Sequence, residues 1–323
     1  MPSSADQQSP ADQTSPTGEQ YVLTRETPNG QVRAIVTELA AALRTLTLGG
    51  VDITEPYGDD VQPPYANGIV LFPWPNRIRD GLWQLDGKPQ QLDITEPKFH
   101  NASHGLLRFS PYTLVERTEG SVTLAATVFP QHGFPFRLEQ SVTYELTDDG
   151  VSVTHDIRNA SGAAAPVALG THPFLRVGDV PSEDLVITLD AGTRFEVDDR
   201  LIPTAEVPVD GTVFDLRAGV RVGDVDLNTT FGSLGSRAHR LTALDGRFVE
   251  LWQDDSFDYA LAFATPFPKN GGMALAVAIE PMTVPPNGFN SGEGLRWLEP
   301  GERWVLGWGI RASLDTVAAR AGE

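Results

Sequence analysis

Arg137-Leu-Glu-Gln-Ser-Val-Thr-Tyr-Glu-Leu146-Thr-Asp-Asp-Gly150-Val-Ser-Val-Thr-His-Asp-Ile157 reads as two alternating runs joined by a turn. Apolar and polar side chains exchange places with a period of two on both sides of Asp-Asp-Gly. Successive side chains of an extended chain point to opposite faces, so this period fits a strand with one buried face. Asp and Gly tolerate the backbone angles of a tight reversal, and the whole piece predicts a β-hairpin.

The same pattern recurs outward from this hairpin. Ser121–Val128, Leu185–Leu189, Phe248–Trp252 and Met273–Ile279 all alternate, with turn signals at Asn159-Ala-Ser-Gly162 and Leu244-Asp-Gly246. Helical patterns are scarce. Glu38–Leu46 has a helix-favouring composition, yet Arg44-Thr-Leu-Thr-Leu48 alternates and predicts a strand hairpin, while Leu314–Ala321 reads as a terminal helix. Many antiparallel strands with 31 glycines and 25 prolines predict an all-β sandwich or barrel, not βαβ units. No internal repeat or composition shift marks a linker, so residues 20–323 are expected to form one β domain. Met1–Glu19, rich in Ser, Gln, Pro and Asp, is too polar to bury a core and is expected to be a disordered tail. It has neither the basic nor the apolar region of a secretory signal.

Composition narrows the function classes. With 24 Lys+Arg against 43 Asp+Glu, the 323-residue chain carries a formal charge of −19. That balance argues against nucleic acid or an anionic membrane surface as partner, since both call for clustered cations. The absence of cysteine removes a disulfide framework, a thiolate metal site and a cysteine nucleophile. No run of about 18 apolar residues occurs, so no membrane span is expected, and the default location is cytoplasmic.

Four clusters set polar side chains among turn residues. In Val277-Ala-Ile-Glu280-Pro281, an alternating strand delivers a carboxylate to its last position, and a proline is expected to end regular pairing there. Gly170-Thr-His172-Pro-Phe174 treats an imidazole the same way. Upstream lie Phe72-Pro-Trp-Pro-Asn76-Arg77-Ile-Arg79 and His100-Asn101-Ala-Ser-His104-Gly105. Each has a plainer reading. Glu280 fits an arginine-paired rim carboxylate about as well as a base; His172 alone fits a satisfied core histidine better than an acid; Arg77 and Arg79 fit surface ion pairs with Asp80 or Glu96. His100 and His104 lie four apart, but Pro97 and Gly105 argue against a helix that would make them a metal pair. His132, His155 and His239 read as structural.

Taken in order, Asn76-Arg77-Ile, Asn101-Ala-Ser-His104-Gly105, Thr171-His172-Pro-Phe174 and Glu280-Pro with Pro286-Asn287-Gly-Phe-Asn290 resemble the aldose 1-epimerase (galactose mutarotase) family. The resemblance runs from about Val32 to about Ala312. It implies a large antiparallel β-sandwich of the galactose mutarotase-like supersandwich type, with a carbohydrate cleft. It also implies interconversion of the α and β anomers of a free hexose, with Glu280 as base, His172 as acid, and Arg77, His104 and Asn76 holding the sugar. No cofactor and no metal are implied, and the expected partner is a small aldose.

One departure stands out. Where the family carries an Asp-x-x-Phe aspartate that binds hydroxyls, this chain has Asn228-Thr-Thr-Phe231, with Asp226 two residues earlier. Either Asn228 or Asp226 is then the contact. Phe72, Trp74 and Phe289 are candidate apolar walls, with core packing at least as good a reading.

Two alternatives remain at this level. A non-catalytic sugar-binding domain would not need Glu280 and His172 together. A glycoside hydrolase would pair Glu280 with Asp254, Asp255 or Asp258 across about 5–9.5 Å. A hexose 6-phosphate epimerase would need extra basic residues in the cleft, and so few cations in so acidic a chain rank it below free sugars.

Overall fold

The computed structural model describes residues 15–269 and 271–315, and nearly all of its regular structure is antiparallel strand. The hairpin of Leu138–Leu146 and Gly150–Asn159 is formed as its pattern predicts, with Leu146 opposite Val151 and Thr147 N–H bonded to the Gly150 carbonyl at 3.0 Å. Gly150 serves a second purpose. A side chain there would meet the Ile310 carbonyl oxygen at 1.9 Å, so glycine lets the next strand, Arg303–Ser313, approach.

These strands lie inside a nine-stranded sheet that runs from the edge strand Thr113–Arg117 to Val220–Arg221. An eight-stranded sheet is centred on the long hairpin Tyr259–Lys269 and Gly272–Met282. One buried apolar cluster draws on both, including Val142, Tyr144 and Trp308 from the first and Phe231, Ala260 and Ile279 from the second. At about 25 cal/mol per Å² of apolar surface, this shared burial is the main force holding the sheets face to face. The result is an all-β antiparallel sandwich.

A four-stranded sheet, Gln20–Arg25, Val32–Thr37, Leu43–Leu48 and Val51–Asp52, packs into the same cluster. Its central hairpin occupies the Glu38–Leu46 region, where Ala40 and Ala41 take φ of 55° and 46°. Those angles are incompatible with a right-handed helix, so the alternation of Arg44–Leu48 outweighs the helix-favouring composition.

Both chain ends need a comment. Residues 15–19 fall in the expected tail, yet Thr17 is buried, its carbonyl accepting from Leu39 N–H at 3.0 Å and its hydroxyl from Gln20 Nε2 at 2.9 Å. Satisfied polar groups can be buried at little cost, which composition alone does not register. Residues 1–14 of that tail lie outside the described residues. Leu314 and Asp315 are irregular, and the remainder of the expected terminal helix also lies outside them.

Candidate active site

The long hairpin and the turns beside it surround a cavity of about 560 Å³ whose wall includes Asn76, Arg77, His104, His172, Asn228 and Glu280. The structure therefore gathers six of the seven residues singled out for the sugar site. The seventh, Asp226, is exposed and does not line the cavity. Strand Asn228–Leu234 begins at 228, opposite Phe263 of the cavity wall, and the intervening Leu227 is buried in the core. That register directs position 228 to the cavity.

Glu280 faces the cavity from strand Gly272–Met282, which continues two residues beyond it, with Pro281 opposite Ala260 and Met282 opposite Tyr259. The expectation that Pro281 ends pairing is thus corrected. Alternate N–H groups of an antiparallel strand point to opposite neighbours. Ile279 and Thr283 donate towards Pro173 and Leu169, so the missing N–H of Pro281 falls on that side and costs nothing to the hairpin ladder.

His172 sits between the short strands Gly170–Thr171 and Phe174–Leu175. Its backbone is fixed on both sides, donating to Ile69 O at 3.3 Å and accepting from Gly68 N–H at 2.9 Å. The ring lies over Phe174, with centroids 5.3 Å apart, and its Nε2 is 3.2 Å from Glu280 Oε1. Both side chains are buried. Burial favours the neutral form of each. It pushes the Glu280 carboxyl up to about 8, against the opposing field of Arg77, and holds the His172 imidazole down to about 3. The other atoms of the pair, Glu280 Oε2 and His172 Nδ1, have no hydrogen-bond partner within the protein.

His104 stands edge-on to His172 with ring centroids 5.7 Å apart, and its Nδ1 is likewise unpartnered. It takes φ of 64°, and His100 takes 56°, so neither belongs to a helix; His100 pairs with Asp80 at the surface. Gly105 holds the turn against Phe72, whose carbonyl oxygen would lie 2.0 Å from any added Cβ. Burial, then the nearby Arg108 charge, depresses the proton affinity of His104.

Arg77 satisfies both of its readings at once. Its Nε and Nη2 make a bidentate pair with Glu96 at 2.7 and 2.9 Å, and Nη1 reaches Asn76 Oδ1 at 3.2 Å. Strand Arg77–Arg79 buries Ile78 between the two arginines, and Arg79 pairs with Asp198 outside the cavity. The Pro286-Asn287-Gly-Phe-Asn290 loop braces this strand and the next, Leu82–Leu85: Asn287 Oδ1 accepts from Arg79 N–H at 3.1 Å, and Asn290 Nδ2 donates to Leu82 O at 2.9 Å.

Other candidates fall elsewhere. Phe72, Trp74 and Phe289 are core residues, with Trp74 and Phe289 in ring contact at 5.6 Å. The aromatic cavity wall is instead Tyr65, Phe99, Phe109 and Phe263. Tyr65, Phe99 and Phe109 carry only the general signal of an aromatic near a turn, and Phe263 that of an aromatic within a strand, both too common to single them out. Asp254 accepts from Ser256 and Gly307 N–H, while Asp255 and Asp258 pair with Arg237. None of the three reaches the cavity, and its other carboxylate, Glu96, is held by Arg77, so none of these aspartates supplies a hydrolase's second group. His155 and His239 are buried against Trp308 and Gln253. Among the described residues no group of three His, Asp or Glu is placed to hold a metal ion, and no helix is long and apolar enough to cross a membrane.

Residues 26–310 match the aldose 1-epimerase family, and the chain belongs to that family. The uncharacterized protein YihR of Escherichia coli K12 is 31% identical over 279 residues, which cover 84% of this chain and 88% of that one. Human galactose mutarotase is 35% identical over 167 residues, covering 50% of this chain and 47% of the relative. Among solved structures, a GalM/aldose epimerase homologue from C. elegans superposes with a TM-score of 0.80 at 20% identity, over 91% of this chain and 99% of that chain. Galactose 1-epimerase from Lactobacillus acidophilus does so at 0.71 and 18%, over 91% and 98%. At these identities the two structures speak to the shared fold.

Proposed function

We propose that this protein is a mutarotase, catalysing ring opening and reclosure of an aldose so that its α and β anomers interconvert. The observation that carries the reading is the buried contact of Glu280 with His172 in a cavity also lined by Arg77, His104, Asn76 and Asn228.

Opening the ring breaks the bond between C1 and the ring oxygen. A base removes the C1 hydroxyl proton, the C1=O bond forms, and the electron pair released to the ring oxygen takes a proton from an acid. After rotation about C1–C2 the same steps run backwards, returning each proton to its donor. Two proton-transfer groups are enough, each tolerant of both protonation states, and such assistance contributes about 10²–10⁴-fold. Glu280 is assigned as base and His172 as acid. With the carboxyl raised and the imidazole depressed by burial, the pair holds one proton at neutral pH, the number the cycle needs. Ring opening starts once that proton lies on His172 Nε2, a transfer across the 3.2 Å contact in which the Arg77 charge favours the carboxylate and opposes the imidazolium. Arg77, His104, Asn76 and Asn228 hold the sugar oxygens and steady the charge that develops on them.

The test is the optical rotation of freshly dissolved α-anomers followed with and without the protein. Faster approach to the same final rotation supports the reading. Rates equal to buffer for folded protein with every aldose offered would favour a sugar-binding domain without turnover.

A further inference from the structure

The cavity wall carries three cations, Arg77, Lys98 and Arg108, against two carboxylates, Glu96 and Glu280. Glu96 gives both oxygens to Arg77, and Glu280 is held largely neutral by burial. Lys98 and Arg108 are left without a counterion: among the described residues neither makes an ion pair, and Arg108 has only a 3.3 Å hydrogen bond from Nη1 to Ser103 O, with its Nε unpartnered. Each cation instead lies over a phenylalanine of the same wall, Lys98 Nζ at 4.9 Å from the Phe99 centroid and Arg108 Cζ at 4.7 Å from that of Phe109. A ring face orients a cation without cancelling its charge. In a chain with a net charge of −19, two uncompensated cations in the cavity make a local excess of the opposite sign.

We propose that the aldose taken by this cavity carries an anionic substituent (a phosphate, sulfonate or carboxylate) and that Arg108 and Lys98 are its counterions. The proposal rests on the mutarotase reading and specifies its substrate class.

A partly buried guanidinium with no carboxylate partner is costly, and a neutral hydroxyl repays little of that cost; a charge-assisted, bidentate contact repays far more. Burial disfavours the charged form of Arg108, with Glu96 giving partial relief. A bound anion would complete the relief. It would also act on the chemistry, because after burial the Arg108 charge is among the causes that depress the His172 imidazole. An anion seated on Arg108 offsets that repulsion and eases the move of the shared proton onto His172 Nε2. The substituent therefore improves turnover as well as binding.

Anomer exchange at equilibrium, followed by NMR on the full chain, tests this with glucose beside glucose 6-phosphate, glucuronate and the 6-sulfonate of glucose, and with galactose beside the corresponding derivatives. At least one anionic sugar is expected to exceed its neutral parent in kcat/KM by about tenfold or more, and the best of the three substituents identifies the group. Arg108→Gln should cut the ratio of anionic to neutral kcat/KM by about tenfold, and Lys98→Gln, in an exposed loop whose substitution does not threaten folding, should cut it by a smaller factor. Neutral sugars turned over as well as every anionic counterpart would overturn the proposal and leave the mutarotase reading standing. No exchange of any sugar, neutral or anionic, would overturn both.

Discussion

His172 Nε2 lies 3.2 Å from Glu280 Oε1, so the two groups assigned to proton transfer share one contact. Each is buried, and burial drives them in opposite directions on the pH scale, the carboxyl up to about 8 and the imidazole down to about 3. An isolated buried carboxylate or imidazolium would pay a full desolvation cost. Together they hold a single proton over a wide pH range.

Replacing either partner removes that shared proton site. Glu280→Gln and His172→Asn should each lower kcat by about 10²–10⁴-fold, with sugar affinity changed by less than about threefold, since Arg77 and Asn228 remain. Equilibrium binding and anomer exchange on the same preparations check this. Turnover like that of the unaltered protein in either variant would remove that residue from the proton transfers.

The pH profile should show the same pair. In the free protein the one-proton state persists between the depressed imidazole, about 3, and the raised carboxyl, about 8. kcat/KM, corrected for the buffer rate, should be level from about pH 5 to 7 and fall towards tenfold per unit above pH 8 as the pair loses its last proton. A profile that rises through pH 8 would mean the unprotonated pair is the working form.

How much of this was legible in the sequence depends on the range of the forces involved. The hairpin at Leu138–Asn159 follows from alternation and a turn, both local. Glu280 and His172 stand out because each ends an apolar run directly before a proline, and the family resemblance joins them although 107 residues of chain lie between them. Lys98, Arg108 and Tyr65 give no such signal. Their positions depend on contacts from distant segments, such as Arg200 bonding to the Phe99 and His100 carbonyls at 3.0 and 2.7 Å. Pro281 misleads for a related reason: which neighbour loses its hydrogen bond depends on the sheet, and no local pattern records it.

Stability should have a maximum near pH 6.5. His155 accepts from Trp308 Nε1 at 3.0 Å within the core, and burial holds it down to about 3; burial likewise holds His239 down to about 4. Their contribution is complete above the unfolded histidine value of about 6.5 and is lost as pH falls, because the unfolded chain binds the protons first, at about 1.4 kcal/mol per pH unit for each group. Glu280 has the opposite sign. Its raised value makes the folded state hold a proton that the unfolded chain has released, so stability declines as pH rises towards 8. Urea unfolding at pH 5.0, 6.5 and 8.0 measures both limbs, and Glu280→Gln should flatten the alkaline one. Stability that is unchanged or higher at pH 5.0 than at 6.5 would contradict the buried neutral histidines.

Asn228 and Asp226 differ by two positions, and only the first lines the cavity. Asn228 opens a strand opposite Phe263 and lines the cavity; Asp226 is exposed outside it. Asn228→Asp places a carboxylate in the cavity, where it opposes ionisation of Glu280 and repels an anionic substituent. It should lower kcat/KM by about three- to tenfold, most for a charged sugar. Asp226→Asn removes a solvated charge and should leave kcat/KM within about twofold. Parallel kinetics of the two variants decide the register. If Asp226→Asn impairs exchange and Asn228→Asp does not, the hydroxyl contact belongs to position 226, and the start of this strand must shift by two residues when sugar binds.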